Sequence, residues 1–144
     1  MSYLALALSA ALSTAGPAAH EVSIDHRDAV YQVTYRPQVE TRMKTVGLSA
    51  GTRPSSERCR WTMAVQVERQ IRRQGQPAGI DRLLPDAHLI RGERAGSCAH
   101  GRDAIAAEQV ARTEQLRAHV AQVAAADRAT VLADIDSAHA LASN

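Results

Sequence analysis

The stretch RCRWTMAVQVE, Arg58 to Glu68, alternates strictly between two kinds of side chain. Cys59, Trp61, Met63, Val65 and Val67 fall on one side of the alternation; Arg58, Arg60, Thr62, Ala64, Gln66 and Glu68 fall on the other. A β-strand points successive side chains to opposite faces, so this pattern predicts a half-buried antiparallel strand with a dry face and a wet one. Upstream, the same period recurs in three shorter pieces. Val22 and Ile24 alternate with Ser23 and Asp25. Tyr31, Val33 and Tyr35 share a face. Val39, Thr41, Met43 and Thr45 alternate with Glu40, Arg42 and Lys44. Breaks at Arg27–Asp28, at Arg36–Pro37 and across Gly47 to Glu57 divide the run into a meander of about four strands, and QGQPAG, from Gln74 to Gly79, is expected to end it. A further short strand is expected near Ala87 to Arg91.

Beyond Gly101 the period changes to that of a helix. Ile105, Leu116, Val120 and Val123 form a broad stripe that Ala106 and Val110 widen, Asp103 is placed to cap it, and Glu108 and Arg112 pair at i,i+4 on the other side. A second helical piece begins near Asp127, with Val131, Leu132 and Ile135 apolar. Strands first and helices last predict an α+β fold: an antiparallel meander followed by one or two C-terminal helices on one sheet face, residues 21–98 mainly β and 103–142 mainly helical. Only three aromatic residues, Tyr31, Tyr35 and Trp61, follow residue 18, so the core is expected to be aliphatic and alanine-rich with Trp61 its largest piece.

The chain opens differently. No charged side chain occurs from Met1 to Ala19, and YLALALSAAL, Tyr3 to Leu12, is followed by the small residues STAGPAA. That is the pattern of a secretory signal peptide cleaved near residue 18, although its start carries no Lys or Arg. Ten apolar residues are too few for a bilayer of about 30 Å, which needs roughly 20 helical residues, so the protein is not expected to span a membrane. Residues 19–144 then form one exported α+β domain, periplasmic or secreted. Lys44 is the only lysine among 17 basic residues, which with the abundant alanine points to a GC-rich bacterial genome.

In an oxidising compartment the two cysteines, Cys59 and Cys98, are expected to form a disulfide from sheet to helix, since neither lies in a CxxC motif. The rival is a reactive Cys98 with His100 as its base. His20 offers a different chemistry. Cleavage after Ala19 would leave a new amino group beside its imidazole, and the two would chelate copper with another histidine; this resembles the histidine brace of copper-dependent polysaccharide monooxygenases and periplasmic copper-binding proteins. The remaining histidines show no HxxH or HExxH spacing. HRD, His26 to Asp28, matches a kinase catalytic loop without the rest of that fold, and Asp134 and Asp136 do not face each other on a helix.

Charge carries the most specific functional expectation. Arg27 to Arg73 holds 10 basic and 4 acidic residues, whereas Asp103 to Asp136 holds 3 basic and 6 acidic. If the third and fourth strands pair with Met43 opposite Trp61, both apolar sets share a face and Lys44 lies opposite Arg60, with Arg42 and Arg58 nearby. Like charges directly opposite are destabilising, so such a face is relieved by solvent or by a bound anion. Arg42, Lys44, Arg58 and Arg60 are therefore the expected anion-binding residues, for an anionic envelope component or a protein partner, in a protein read as non-enzymatic.

Overall fold

A computed structural model describes residues 18–143 of the chain. Five strands, β1 (His20–His26), β2 (Ala29–Val46), β3 (Arg58–Arg73), β4 (Gly79–Leu83) and β5 (His88–Ala95), are followed by α1 (Cys98–Ala111) and α2 (Thr113–Ala142). The expected α+β architecture is the one observed. The signal peptide expected over residues 1–18 lies almost wholly outside the described residues.

The sheet is antiparallel throughout, in the order β1, β2, β3, with β4 and β5 both on the far side of β3. β4 takes the C-terminal end of β3 and β5 its N-terminal half, so together they fill one strand position interrupted by Leu84–Ala87. Pro85 and Asp86 sit in that interruption, where proline's missing N–H removes no ladder bond. The sheet therefore does not end at QGQPAG, which is instead a turn into β4. Likewise the short strand expected near Ala87 to Arg91 extends to Ala95.

One expected break is absent. β2 runs unbroken through Arg36 and Pro37, its 18 residues pairing first with β1 and along its length with β3. β1 reaches only to the pair His20 with Tyr35, so Pro37 lies where β2 becomes an edge. Val30 accepts a hydrogen bond from Gln74 on the β3 side, which sets even-numbered β2 residues to bond β3 and odd-numbered ones to face the other way. Pro37 is odd, and its missing donor points to the unpaired side. The turn between β1 and β2 is a two-residue loop, Arg27–Asp28, with both φ positive (50° and 56°), the hairpin geometry whose twist matches the strands.

The inward face is covered by helices, and the core divides in two. Ile24, Val33, Tyr35, Val67 and Ile71 pack under α2 against Val120, Ala124, Val131 and Ile135. Cys59, Trp61, Met63, Val65 and Ile90 pack with Ile105 of α1 and Leu116. Of the expected stripe, Ala106 and Val110 remain exposed. Helix boundaries also differ from expectation. α1 starts at Cys98, ahead of Asp103, because the Cys59–Cys98 disulfide and the Cys98 N–H bond to Thr45 Oγ1 (3.0 Å) hold the first turn on the sheet. The helices part at Arg112, not near Asp127; Thr113 Oγ1 there donates to the Val110 carbonyl at 2.7 Å.

Trp61 shows how tightly this face is filled. Gly92 lies directly opposite it on β5, and a Cβ at that position would overlap the indole. The indole has nowhere to go, being buried with the Arg112 guanidinium 5.4 Å from its ring centroid. Gly92→Ala is accordingly expected to destabilise by about 1–3 kcal/mol through overpacking, despite replacing a glycine in a strand. Urea unfolding measures it, and a midpoint at or above that of the parent would show that the indole is free to shift.

Candidate functional site: the uncovered cationic face of the sheet

Among the described residues no element packs on the outward face of the sheet, so its side chains are presented to solvent. Their arrangement follows from register. Met43 is opposite Trp61 and Lys44 opposite Arg60, the pairing expected from the two alternating patterns. The next pairs on this face are Arg42 with Thr62 and Val46 with Arg58. Arg42, Lys44, Arg58 and Arg60 thus share one face at the end of the sheet nearest the β2–β3 loop.

β5 adds what the sequence did not indicate. Arg91 lies opposite Thr62 from the other side, and Glu93 opposite Arg60. The Thr62 hydroxyl is consequently flanked by Arg42 on one strand and Arg91 on the other, with Lys44 and Arg60 in the adjoining row. Side chains directly opposite across strands stand about 5 Å apart at Cβ, close enough for their charged ends to meet on one ligand oxyanion. Arg91 was missed because its face depends on where β5 starts, and the ambiguous sequence before it fixes no parity.

Like-charge repulsion on this face is partly relieved from within. Arg58 donates to Glu93 at 2.6 Å and Arg60 Nε donates to the same carboxylate at 2.9 Å, while Arg42 donates to Glu40 at 2.9 Å. The hydrogen bond from Arg58, then that from Arg60, hold the Glu93 carboxyl below its ordinary pKa. Five cations, Arg42, Lys44, Arg58, Arg60 and Arg91, still face two carboxylates, Glu40 and Glu93. The other end of the face is of opposite character: Glu68 and Asp81 accompany Arg36 and Arg72 there, and β1 adds Glu21 and Asp25. The hydrogen bonds from Arg72 depress the pKa of Asp81 in that half.

The other candidate residues lie elsewhere. Cys59 and Cys98 are bridged, so Cys98 offers no thiol to His100, whose Nδ1 instead lies 2.8 Å from Ser97 Oγ. His20 opens β1 and lines a cleft of about 240 Å³ between that strand and α2 with Ile24, Tyr35, Ala124 and Arg128. Among the described residues no three His, Cys, Asp or Glu side chains converge as a metal site. His26 and Arg27 of the HRD string reach Asp136 of α2, at 2.8 and 2.5 Å. These bonds, that from His26 first, lower the Asp136 pKa. Asp134 turns to Arg69 and Arg82 instead, so the two aspartates serve different partners. His88 of β5 stacks on His119 of α2 with ring centroids 4.6 Å apart, and burial, then the neighbouring His88, lowers the His119 pKa.

The most heavily buried polar group serves the fold. Arg69 continues the inward series after Val67 and is fully buried. Its Nη1 donates to both carboxylate oxygens of Asp127 at 3.0 and 2.8 Å, and its Nη2 to Asp134. Tyr35 Oη donates to Asp127 at 3.1 Å; burial first, then that carboxylate, push the phenol pKa far above its ordinary value. These ion pairs and the Tyr35 hydrogen bond join the sheet to α2. Comparison with protein-family models, with curated proteins and with solved structures finds no match.

Proposed function

We propose that this chain is an exported, disulfide-bonded binding domain that holds an anionic component of the cell envelope on the outward face of its sheet and catalyses no reaction. The observation that carries the reading is the cationic cluster around Thr62. An uncovered face concentrates five cations against two carboxylates, with Arg42 and Arg91 flanking one hydroxyl. Arginine suits this role because its planar fork matches phosphate and carboxylate oxygens, and Lys44 adds a point charge beside it. Export is supported by the uncharged apolar start of the chain and by a disulfide, a bond that persists in oxidising compartments. Among the described residues no helix is long and apolar enough to cross a membrane.

The test is sedimentation with phosphatidylglycerol vesicles, with phosphatidylcholine vesicles as the neutral control, over a salt series. The parent is compared with a variant carrying Lys44→Gln, Arg60→Gln and Arg91→Gln. Each cation near an anionic surface contributes about 1 kcal/mol, so the variant is expected to bind roughly a hundredfold more weakly at low salt and with a shallower salt dependence. Equal binding by the two proteins, or none by the parent, would remove this face from the functional account.

A further inference from the structure

Along β2 the backbone poses a separate question. From Gln38 to Val46 one side of the strand is paired with β3 and the other has no strand partner among the described residues. By the parity set out above, Val39, Thr41, Met43 and Thr45 turn their N–H and C=O groups to that free side. An unpaired edge is a template for another strand, and proteins usually blunt it with proline, lysine or a bulge. Here Pro37 and Lys44 bracket the stretch, but no bulge interrupts it, since the register with β3 is uniform from Tyr31 to Val46. Val39 and Met43, on the inward side of the same edge, are 43% and 39% exposed.

We propose that this edge pairs antiparallel with the same edge of a second copy, about a two-fold axis through Thr41, to give one continuous sheet. The sequence of the edge is self-complementary in that register. Thr41 meets Thr41, Val39 meets Met43 twice on the inward side, and Glu40 meets Arg42 twice on the outward side. Other registers fail on charge or on face. Moving the axis to residue 42 sets Arg42 against Arg42, and moving it to residue 40 sets Glu40 against Glu40. A slip of one residue pairs inward side chains with outward ones. Only the Thr41-centred pairing joins opposite charges, covers both exposed apolar residues and lets every bonding group from Val39 to Met43 find a partner. Because the axis stands perpendicular to the sheet, both copies display their Thr62 clusters on the same surface. Seven residues a side make a small interface, of the class below ~1,200 Å², so a reversible monomer–dimer equilibrium is expected.

The test is sedimentation equilibrium of the full chain over a wide concentration range. Glu40→Arg and Arg42→Glu each set like charges opposite one another at two places, and each alone is expected to weaken association about tenfold. Mixed in equal amounts, the two variants restore both opposite-charge pairs and should associate about as well as the parent. Recovery on mixing cannot arise from misfolding of either variant. On the unmodified chain, amide exchange at Val39, Thr41 and Met43 should slow as concentration rises, whereas Gln38, Glu40 and Arg42, already bonded to β3, should not change. A parent that stays monomeric, a mixture no tighter than its components, or concentration-independent exchange at the three edge amides would overturn the dimer. Each readout is independent of vesicle binding.

Discussion

Arg69→Met is expected to lower the unfolding free energy by about 3–5 kcal/mol, the usual consequence of removing one partner from a buried ion pair. The loss comes from what stays behind. Asp127 and Asp134 are only 10% and 18% exposed, and in the variant two carboxylates face the sheet with the exposed Arg82, 3.4 Å from Asp134, as the remaining cation. Tyr35 would still donate to Asp127, but a neutral hydroxyl does not offset a charge. Removing all three charges together should behave differently. A variant with Arg69→Met, Asp127→Leu and Asp134→Leu leaves no unpaired carboxylate and should regain part of the stability, since well-packed apolar side chains commonly replace buried ion pairs at little loss, the remaining cost being the Tyr35 hydroxyl left without its acceptor. Urea unfolding of the parent, the single variant and the triple variant decides it. A single variant within about 1 kcal/mol of the parent would mean that solvent reaches the aspartates and that the network contributes little.

Breaking the Cys59–Cys98 bridge should be of similar size. The two residues are 39 apart in sequence, and closing a loop of that length in the unfolded chain contributes roughly 4 kcal/mol on the chain-entropy account. That loop holds most of β3, all of β4 and β5, and the turn into α1, so the bridge fixes the sheet edge and the covering helix in one step. Replacing both cysteines by alanine also empties space at Cys59, which is fully buried between Trp61, Met63 and Ile105 in the second core cluster. The expected result is a large fall in the urea midpoint for the double variant and a somewhat smaller one for the parent under reducing conditions, which loses the bridge but keeps the Cys59 side chain. Midpoints unchanged by reduction would show that the bridge contributes no stability.

The two effects divide the molecule between them. The disulfide secures α1 at the end of the sheet that carries the cationic cluster, and the Arg69 network together with the bonds from His26 and Arg27 to Asp136 secures α2 at the other. The helices hold one face of the sheet dry. The opposite face is left without a covering element among the described residues.

Much of this was legible in the residues alone. The alternation in Cys59 to Val67 and Val39 to Thr45 settled which side chains point inward, and the assumed register, Met43 opposite Trp61 and Lys44 opposite Arg60, is the one the structure shows, although any slip by two residues would also have kept both apolar sets on one face. The pairing of the two cysteines followed from their number and setting. These readings succeed because a strand's period is a property of neighbouring residues, and burial of one face penalises a slip by one residue. What only the tertiary structure decided concerns partners distant in sequence. Pro37 reads as a break, yet it lies in β2 because β1 ends near its level and leaves the missing donor on a side with no strand partner among the described residues. Arg69 continues the inward side of the alternation, and its burial there is made possible by Asp127 and Asp134, 58 and 65 residues away and two helical turns apart, which meet it across the sheet–helix interface. Arg91 joins the cationic cluster only once β5 is docked on β3. Whether a charge or a proline is tolerated depends on what the rest of the chain places beside it, and that compensation is not written in its neighbours.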